Sequence, residues 1–157
     1  MKKITIIVML AGFLTAFTTL KRVDNIVENV KELYGYTLKE KDFDPSDFNL
    51  WVITHSVAFD KTFIAETEKA ARPDFNAELV IAGKVETLNY TYRLKFKTIL
   101  TKGDEMNVYF SVRKAGPANH GNGPLSLATL QKNQGIKKIN FYHDNILVRT
   151  VPIVWVY

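Results

Sequence analysis

Residues 90–97 read YTYRLKFK and residues 106–113 read MNVYFSVR, and both segments alternate apolar with polar side chains. Alternation with a period of two is typical of a strand that has one face in a core and the other in water. A polar break with Gly103 at its centre separates the two segments, so residues 90–115 are predicted to form a β-hairpin. The predicted core-facing residues of the first arm are Tyr90, Tyr92, Leu94 and Phe96.

Short apolar runs bounded by turn residues predict further strands on both sides of this hairpin. These runs lie at residues 50–54, 79–82, 85–88, 125–130, 138–142 and 146–151. Most of them are adjacent and joined by short turns, which favours hairpin connections. The predicted fold class is therefore mainly β: an antiparallel β-sandwich or open barrel with one or two short helices.

Two segments predict helices. Residues 22–34 place apolar side chains at the spacing of one helical face. These side chains are Val23, Ile26, Val27, Val30 and Leu33. A second helix is predicted from about Val57 to Glu68, with Ser56 as its N-cap and Phe59 and Phe63 packed on the sheet.

The N-terminus has the pattern of a targeting segment. Lys2 and Lys3 precede an apolar run over residues 4–17, which predicts a signal peptide at residues 1–18. An uncleaved anchor and a buried first strand are the alternatives. The predicted boundaries are then residues 19–48 for an N-terminal helix and linker, and residues 49–157 for one β-domain. The protein is expected to be exported to the periplasm, the medium or the cell surface, and to meet a membrane only through an uncleaved leader.

Composition narrows the classes of function. The chain of 157 residues has a net charge of +5, which falls to +3 without the two leader lysines. This is only mildly basic, whereas a nucleic-acid binder usually has a denser cluster of Lys and Arg. It contains no cysteine, which excludes disulfides and thiolate chemistry. We expect no nucleic-acid partner and no cofactor.

No catalytic or metal-binding constellation is visible in the sequence. His55 and Ser56 are neighbours, but a catalytic serine ordinarily stands at a Gly-flanked turn with its base distant in the chain. His120 and His143 are likewise isolated from acidic partners at ligand spacing. We therefore expect no enzyme and no metal site. A small hydrolase using His55 or His120 and a small-ligand or glycan binder using Trp51 or Trp155 are the alternatives.

Basic residues share the polar face of the hairpin. An acidic partner or a phosphate-bearing surface would fit this face, and a solvated face that discourages aggregation is the alternative. The residues are Arg93, Lys95, Lys97 and Arg113.

The segment 116–124 is the strongest loop signal, with three glycines and two prolines in nine residues. It is either a long connection or a binding loop. The candidate binding residues are Asn119, His120 and Asn122 in this loop, together with Leu88, Asn89 and Tyr90 at the mouth of the hairpin strand.

Residues 52–151 resemble the C-terminal domain of the PrcB family in the order of their elements. The resemblance includes a Gly-Pro step at residues 123–124 before the LSL run, the KKINF run at residues 137–141, and Thr87 and Tyr90 of a Thr-Gly-Gly-Tyr-like turn. Leu88 and Asn89 stand where that turn has its glycines. The family comprises exported bacterial proteins named for an accessory subunit of a secreted subtilisin-like protease complex. The resemblance implies an accessory, non-enzymatic role and another exported protein, such as a protease, as partner.

Overall fold

The computed structural model describes residues 26–28, 30–39, 48–118 and 123–155; the predicted leader lies outside these ranges. Within them the chain is mainly β, with a single short helix. The strands are β1 (Ile26–Glu28), β2 (Lys31–Leu33), β3 (Tyr36–Leu38), β4 (Phe48–Ile53), β5 (Phe63–Ala65), β6 (Glu78–Glu86), β7 (Tyr90–Lys102), β8 (Glu105–Pro117), β9 (Leu125–Gln131), β10 (Lys138–His143) and β11 (Ile146–Pro152); the helix α1 (Ser56–Thr62) lies between β4 and β5.

Nine strands form one large sheet in the order β11-β10-β8-β7-β6-β9-β2, with β4 also pairing β6 and β1 also pairing β7. The strands β3 and β5 form a separate pair. All neighbours are antiparallel except β8 and β10. The strand β9 pairs with β6 before the chain returns to the outer edge of β8. Because β9 intervenes, β10 runs in the same direction as β8, so the sheet is mixed rather than wholly antiparallel.

The predicted hairpin is confirmed as β7 and β8, which pair from Tyr90 to Lys102. Gly103 opens the two-residue turn with a φ of 62°, a conformation that glycine adopts at little cost. Two irregularities in the register, at Thr91/Tyr92 and Phe96/Thr98, shift the alternation. As a result Thr91 is buried and Tyr90 is 40% exposed, so the prediction that Tyr90 enters the core is wrong.

The two faces of the central strand β6 enter different apolar clusters. Leu79 and Ile81 pack with Phe110 and Phe141 in the larger cluster, which the bending of the sheet encloses. Val80 and Ala82 pack with Phe59 of α1 in the smaller cluster, on the opposite face of β6. The second face of β6 is therefore covered by α1 and the β3–β5 pair, and the strand is buried along nearly its whole length.

The large sheet divides at the end of β6. Val85 pairs with β4 on one edge and with Tyr92 of β7 on the other, whereas residues 78–84 pair with β9 on that second edge. From this point β7 and β9 diverge. The consecutive strands β1 and β2 rejoin the two branches, since β1 pairs residues 99–101 of β7 and β2 pairs residues 127–129 of β9.

Residues 26–28 and 31–33 are therefore strands of the large sheet. The helix predicted over residues 22–34 is wrong, because residues 26–28 and 31–33 are strands. β3 and the start of β4 at Phe48 also fall inside the predicted helix-and-linker segment 19–48. The pairing of two sheet edges outweighs the local helical spacing, and β-branched residues favour strands.

The second predicted helix is shorter than expected. It ends at Thr62, and residues 63–65 form β5, although Phe59 and Phe63 pack against the sheet as predicted. His55 rather than Ser56 occupies the N-cap position, and no side chain caps the helix there. No helix in the described ranges is long and apolar enough to cross a membrane.

Candidate functional site

The turn between β6 and β7, at residues 87–90, is closed by hydrogen bonds at both ends. The Thr87 N–H donates to the Tyr90 carbonyl at 2.8 Å, and the Tyr90 N–H donates to the Thr87 hydroxyl at 3.1 Å. Neither Leu88 nor Asn89 has a positive φ. Glycines are therefore not required for this backbone, and the Thr87 side chain supplies the closure instead.

The turn presents two large side chains to solvent. Leu88 is 82% exposed and Tyr90 is 40% exposed. The ammonium group of Lys114 lies 3.1 Å from the centre of the Tyr90 ring, a cation–π contact. This end of the domain therefore exposes the apolar side chain of Leu88 beside the ring of Tyr90, and Lys114 of β8 holds that ring in place.

The described ends of the loop 116–124 lie against this turn. The Ala118 N–H donates to the Asn89 carbonyl at 2.9 Å. A methyl group placed on Gly123 would lie 2.9 Å from Cγ2 of Thr91, so only glycine allows this close approach without a shift. The structure therefore brings both ends of the loop to Leu88, Asn89 and the start of β7. The candidate residues Asn119, His120 and Asn122 lie outside the described residues.

A buried pair of charges lies directly below the turn. Nζ of Lys84 is 3.8 Å from Oε2 of Glu86, and each side chain is only 2% exposed. Burial lowers the pKa of Lys84, and the negative charge of Glu86 opposes that shift. The methyl group considered at Gly123 would also lie 3.2 Å from Oε2 of Glu86, so Gly123 lies close to this pair.

A cleft of about 550 Å³ opens where β7 and β9 diverge. Its walls are residues 93–96 of β7, residues 125–127 of β9 with the preceding Pro124, and residues 32–33 of β2 with the following Tyr34. At its rim the Tyr34 hydroxyl donates to the Glu32 carboxylate, and this hydrogen bond raises the pKa of Tyr34. The Ser126 hydroxyl donates to the Leu94 carbonyl across the cleft.

The described histidines are engaged in structural contacts. His55 occupies the N-cap position of α1, and its Nδ1 lies 3.3 Å from the Thr54 hydroxyl. His143 packs beside the rings of Phe48 and Phe110, with centroids at 5.3 and 5.5 Å. Within the described ranges no three His, Cys, Asp or Glu side chains are grouped as a metal site.

Both tryptophans also have packing roles. Trp51 contacts Phe63 edge to face at 6.4 Å, between β4 and the second layer. Trp155 donates its indole N–H to the Ile136 carbonyl at 3.0 Å and packs on the larger core. Both tryptophans are partly buried.

Two features of the site were absent from the sequence predictions. The buried charge pair has a signal in the sequence, because residues 84 and 86 are two apart in an otherwise apolar strand and must share a face. The cleft has no such signal, since it arises from the divergence of strands that are distant in the chain.

Comparison of the chain with protein-family models, with curated proteins and with solved structures finds no match.

Proposed function

We propose that the protein is an exported, non-enzymatic interaction module that binds another exported protein, in the manner of accessory subunits of secreted protease complexes. The resemblance to the PrcB family and the N-terminal targeting pattern support the kind of partner. The residues of the turn 87–90 support the location of the contact.

The observation that carries this proposal is the presentation of Leu88. Its side chain is 82% exposed on a turn that three hydrogen bonds close, two of them made by the Thr87 hydroxyl. An apolar group on a pre-organised backbone loses little conformational entropy when a partner covers it. Rigid scaffolds that hold loops at one end are a common arrangement for binding.

The neighbouring groups complete a contact surface of mixed character. Tyr90 and Lys114 lie beside Leu88, and Gly123 approaches Glu86 and Thr91 at the same end. Tyrosine is among the side chains that are enriched at protein interfaces and at their energetic centres. This arrangement fits a folded protein surface better than a small ligand, because the turn is convex rather than a pocket.

Site-specific photo-cross-linking tests the proposal. A benzophenone amino acid at position 88 is expected to capture one protein from native secretions, and excess unlabelled wild-type protein should compete for it. The matched control places the same probe at Val57, which is 73% exposed on α1. Identical products from both positions, or none from position 88, would reject the turn as a contact site.

A further inference from the structure

Arg93 of β7 lies directly opposite Arg113 of β8, and both side chains are exposed. Like charges that face each other across strands destabilise a sheet. Lys95, the next residue on this face of β7, is also exposed. Within the described ranges none of the three makes an ion pair. The arrangement is therefore electrostatically unfavourable.

Two of these cations border the cleft. Arg93 and Lys95 line its β7 wall, together with Leu94 and Phe96, whose side chains are buried. Glu32 is an acidic group at the rim, and the Tyr34 hydroxyl already donates to its carboxylate. The cleft therefore combines a basic wall with an apolar floor.

The β7 wall also exposes a strand edge. In the described part of the chain, residues 93–98 pair with β8 on one side and with no strand on the other, since β6 pairs residues 91–92 and β1 pairs residues 99–101. The Leu94 carbonyl accepts a hydrogen bond from Ser126 on the unpaired side. Backbone groups of Leu94 and, two residues on, of Phe96 consequently face the cleft. Such an edge is a template for an added strand.

We propose that this cleft binds an extended peptide segment of a partner protein, which lies along the free edge of β7 and sets its carboxylates against Arg93 and Lys95. Backbone hydrogen bonds to Phe96 and to the Leu94 N–H supply part of the affinity, since the Leu94 carbonyl already accepts from Ser126. The charges of Arg93 and Lys95 supply the preference for acidic side chains, and the Arg93 guanidinium binds a carboxylate in a fixed geometry. The cleft is separate from residues 87–90, so the inference does not depend on the turn being a contact site.

Two other anionic partners fit the geometry less well. Single-stranded nucleic acid needs aromatic faces beside the cations, but Tyr109 and Tyr142 stack on each other at 4.9 Å and Lys114 covers Tyr90. A membrane surface needs exposed apolar residues next to the cations. The exposed Ile146 and Leu147 lie on β11, three strands away from β7.

Fluorescence anisotropy with the full chain tests the inference. The probe is a labelled hexapeptide of sequence Thr-Glu-Val-Glu-Val-Glu, and its control has Gln in place of each Glu. We expect the Glu peptide to bind roughly tenfold more tightly than the Gln peptide and to weaken with added salt. A Glu peptide with N-methylated amides at alternate positions should lose binding, since it cannot pair with a strand edge.

Matched variants test whether binding depends on the basic residues of the cleft or only on the net charge of the protein. The double variant Arg93→Gln/Lys95→Gln should lower affinity for the Glu peptide roughly tenfold, while its melting temperature stays equal or rises because a like-charge contact is removed. The control Arg149→Gln/Lys69→Gln removes one arginine and one lysine that are also exposed, and it should bind as the wild type does.

Three results would overturn the proposal. The first is equal binding of the Glu and Gln peptides, and the second is unchanged binding by the Arg93→Gln/Lys95→Gln variant. The third is binding of a single-stranded oligonucleotide or of phosphatidylserine vesicles that depends on Arg93 and Lys95 while the peptide does not bind. Normal binding of the N-methylated peptide would refute the strand-addition geometry.

Discussion

Nζ of Lys84 and the carboxylate of Glu86 lie 3.8 Å apart inside the protein, on the same face of β6, and each side chain is 2% exposed. Burial at this depth removes the hydration of both charges, and their mutual attraction offsets only part of the free energy lost with that hydration. The pair lies under Gly123 and beside the turn 87–90, so it links the stability of β6 to the end of the domain that we propose as a contact surface.

Replacing one partner of this pair should lower the free energy of unfolding by more than replacing both. Lys84→Met or Glu86→Gln alone should each lower the free energy of unfolding by about 3–5 kcal/mol, because the remaining group loses its nearby opposite charge or donor. The double variant Lys84→Met/Glu86→Leu should cost less than either. Urea unfolding of the four proteins measures the coupling. Strictly additive losses would show that the two groups do not interact.

The contact between Glu105 and Lys138 should make stability depend on acid pH. Lys138 donates to Glu105 at 2.8 Å and Asn140 donates to it at 3.0 Å, and the bond from Lys138 is the main reason that the pKa of Glu105 is lowered. A carboxyl whose pKa is lower in the folded state stabilises the protein above its ordinary titration range. That stabilisation is lost as the pH falls from about 5 toward 3.

The measurement is the melting temperature between pH 7 and pH 3. Glu105→Gln should melt below the wild type at pH 7, and the difference should shrink as the solution becomes acidic. Glu68→Gln, at an exposed position, serves as the control and should follow the wild type throughout. A difference that stays constant with pH would mean that the Glu105 carboxylate does not contribute through its charge.

Gly83 lies where β6 packs against Leu94 of β7. A methyl group at this position would lie 2.7 Å from Cδ1 of Leu94 and 3.2 Å from Cδ2 of Leu50, and both leucines are buried. Gly83→Ala should therefore destabilise the protein by about 1–3 kcal/mol, because the crowded side chains have no free space. Gly116→Ala is the control, with its nearest neighbour at 3.9 Å, and should change stability by less than about 0.5 kcal/mol.

Phe110 is 2% exposed in the larger core, and Lys95 lies on the opposite face of the same hairpin. Phe110→Ala should lower the free energy of unfolding by about 3–5 kcal/mol, since it removes buried apolar area and leaves a cavity. Lys95→Ala should cost almost nothing. Thermal or chemical denaturation compares the two, and similar losses would contradict the assignment of the hairpin faces.

The β-hairpin could be predicted from the sequence because its signals are local. Alternation over eight residues and a glycine at the turn report directly on which face is buried and where the chain reverses. The same holds for the turn at Asp144 and Asn145, where both residues have positive φ and β11 pairs back on β10. Tyr90 and Thr91 exchange faces because the register shift at that point depends on the partner strand.

The helix predicted over residues 22–34 shows the limit of such signals. Its apolar spacing is compatible with a helix, but strands β1 and β2 find unpaired edges on β7 and β9. Differences in helix propensity change the stability of a helix by only a fraction of a kcal/mol per residue. Pairing with a strand edge instead gives hydrogen-bond partners to a row of backbone groups that would otherwise lack them. For the same reason the described residues 26–28 and 31–33 are paired as strands of the large sheet.

The sequence by itself determined the mainly β class, the central hairpin and the buried faces of its strands, since these depend on alternation within each segment. Only the tertiary structure decided the parallel pairing of β8 with β10, the position of β1 and β2, the burial of Lys84 with Glu86 and the cleft beside Arg93. Each of these depends on where strands far apart in the chain meet. That meeting is set by the bending of the sheet and the pairing of its edges, for which no single segment carries a pattern.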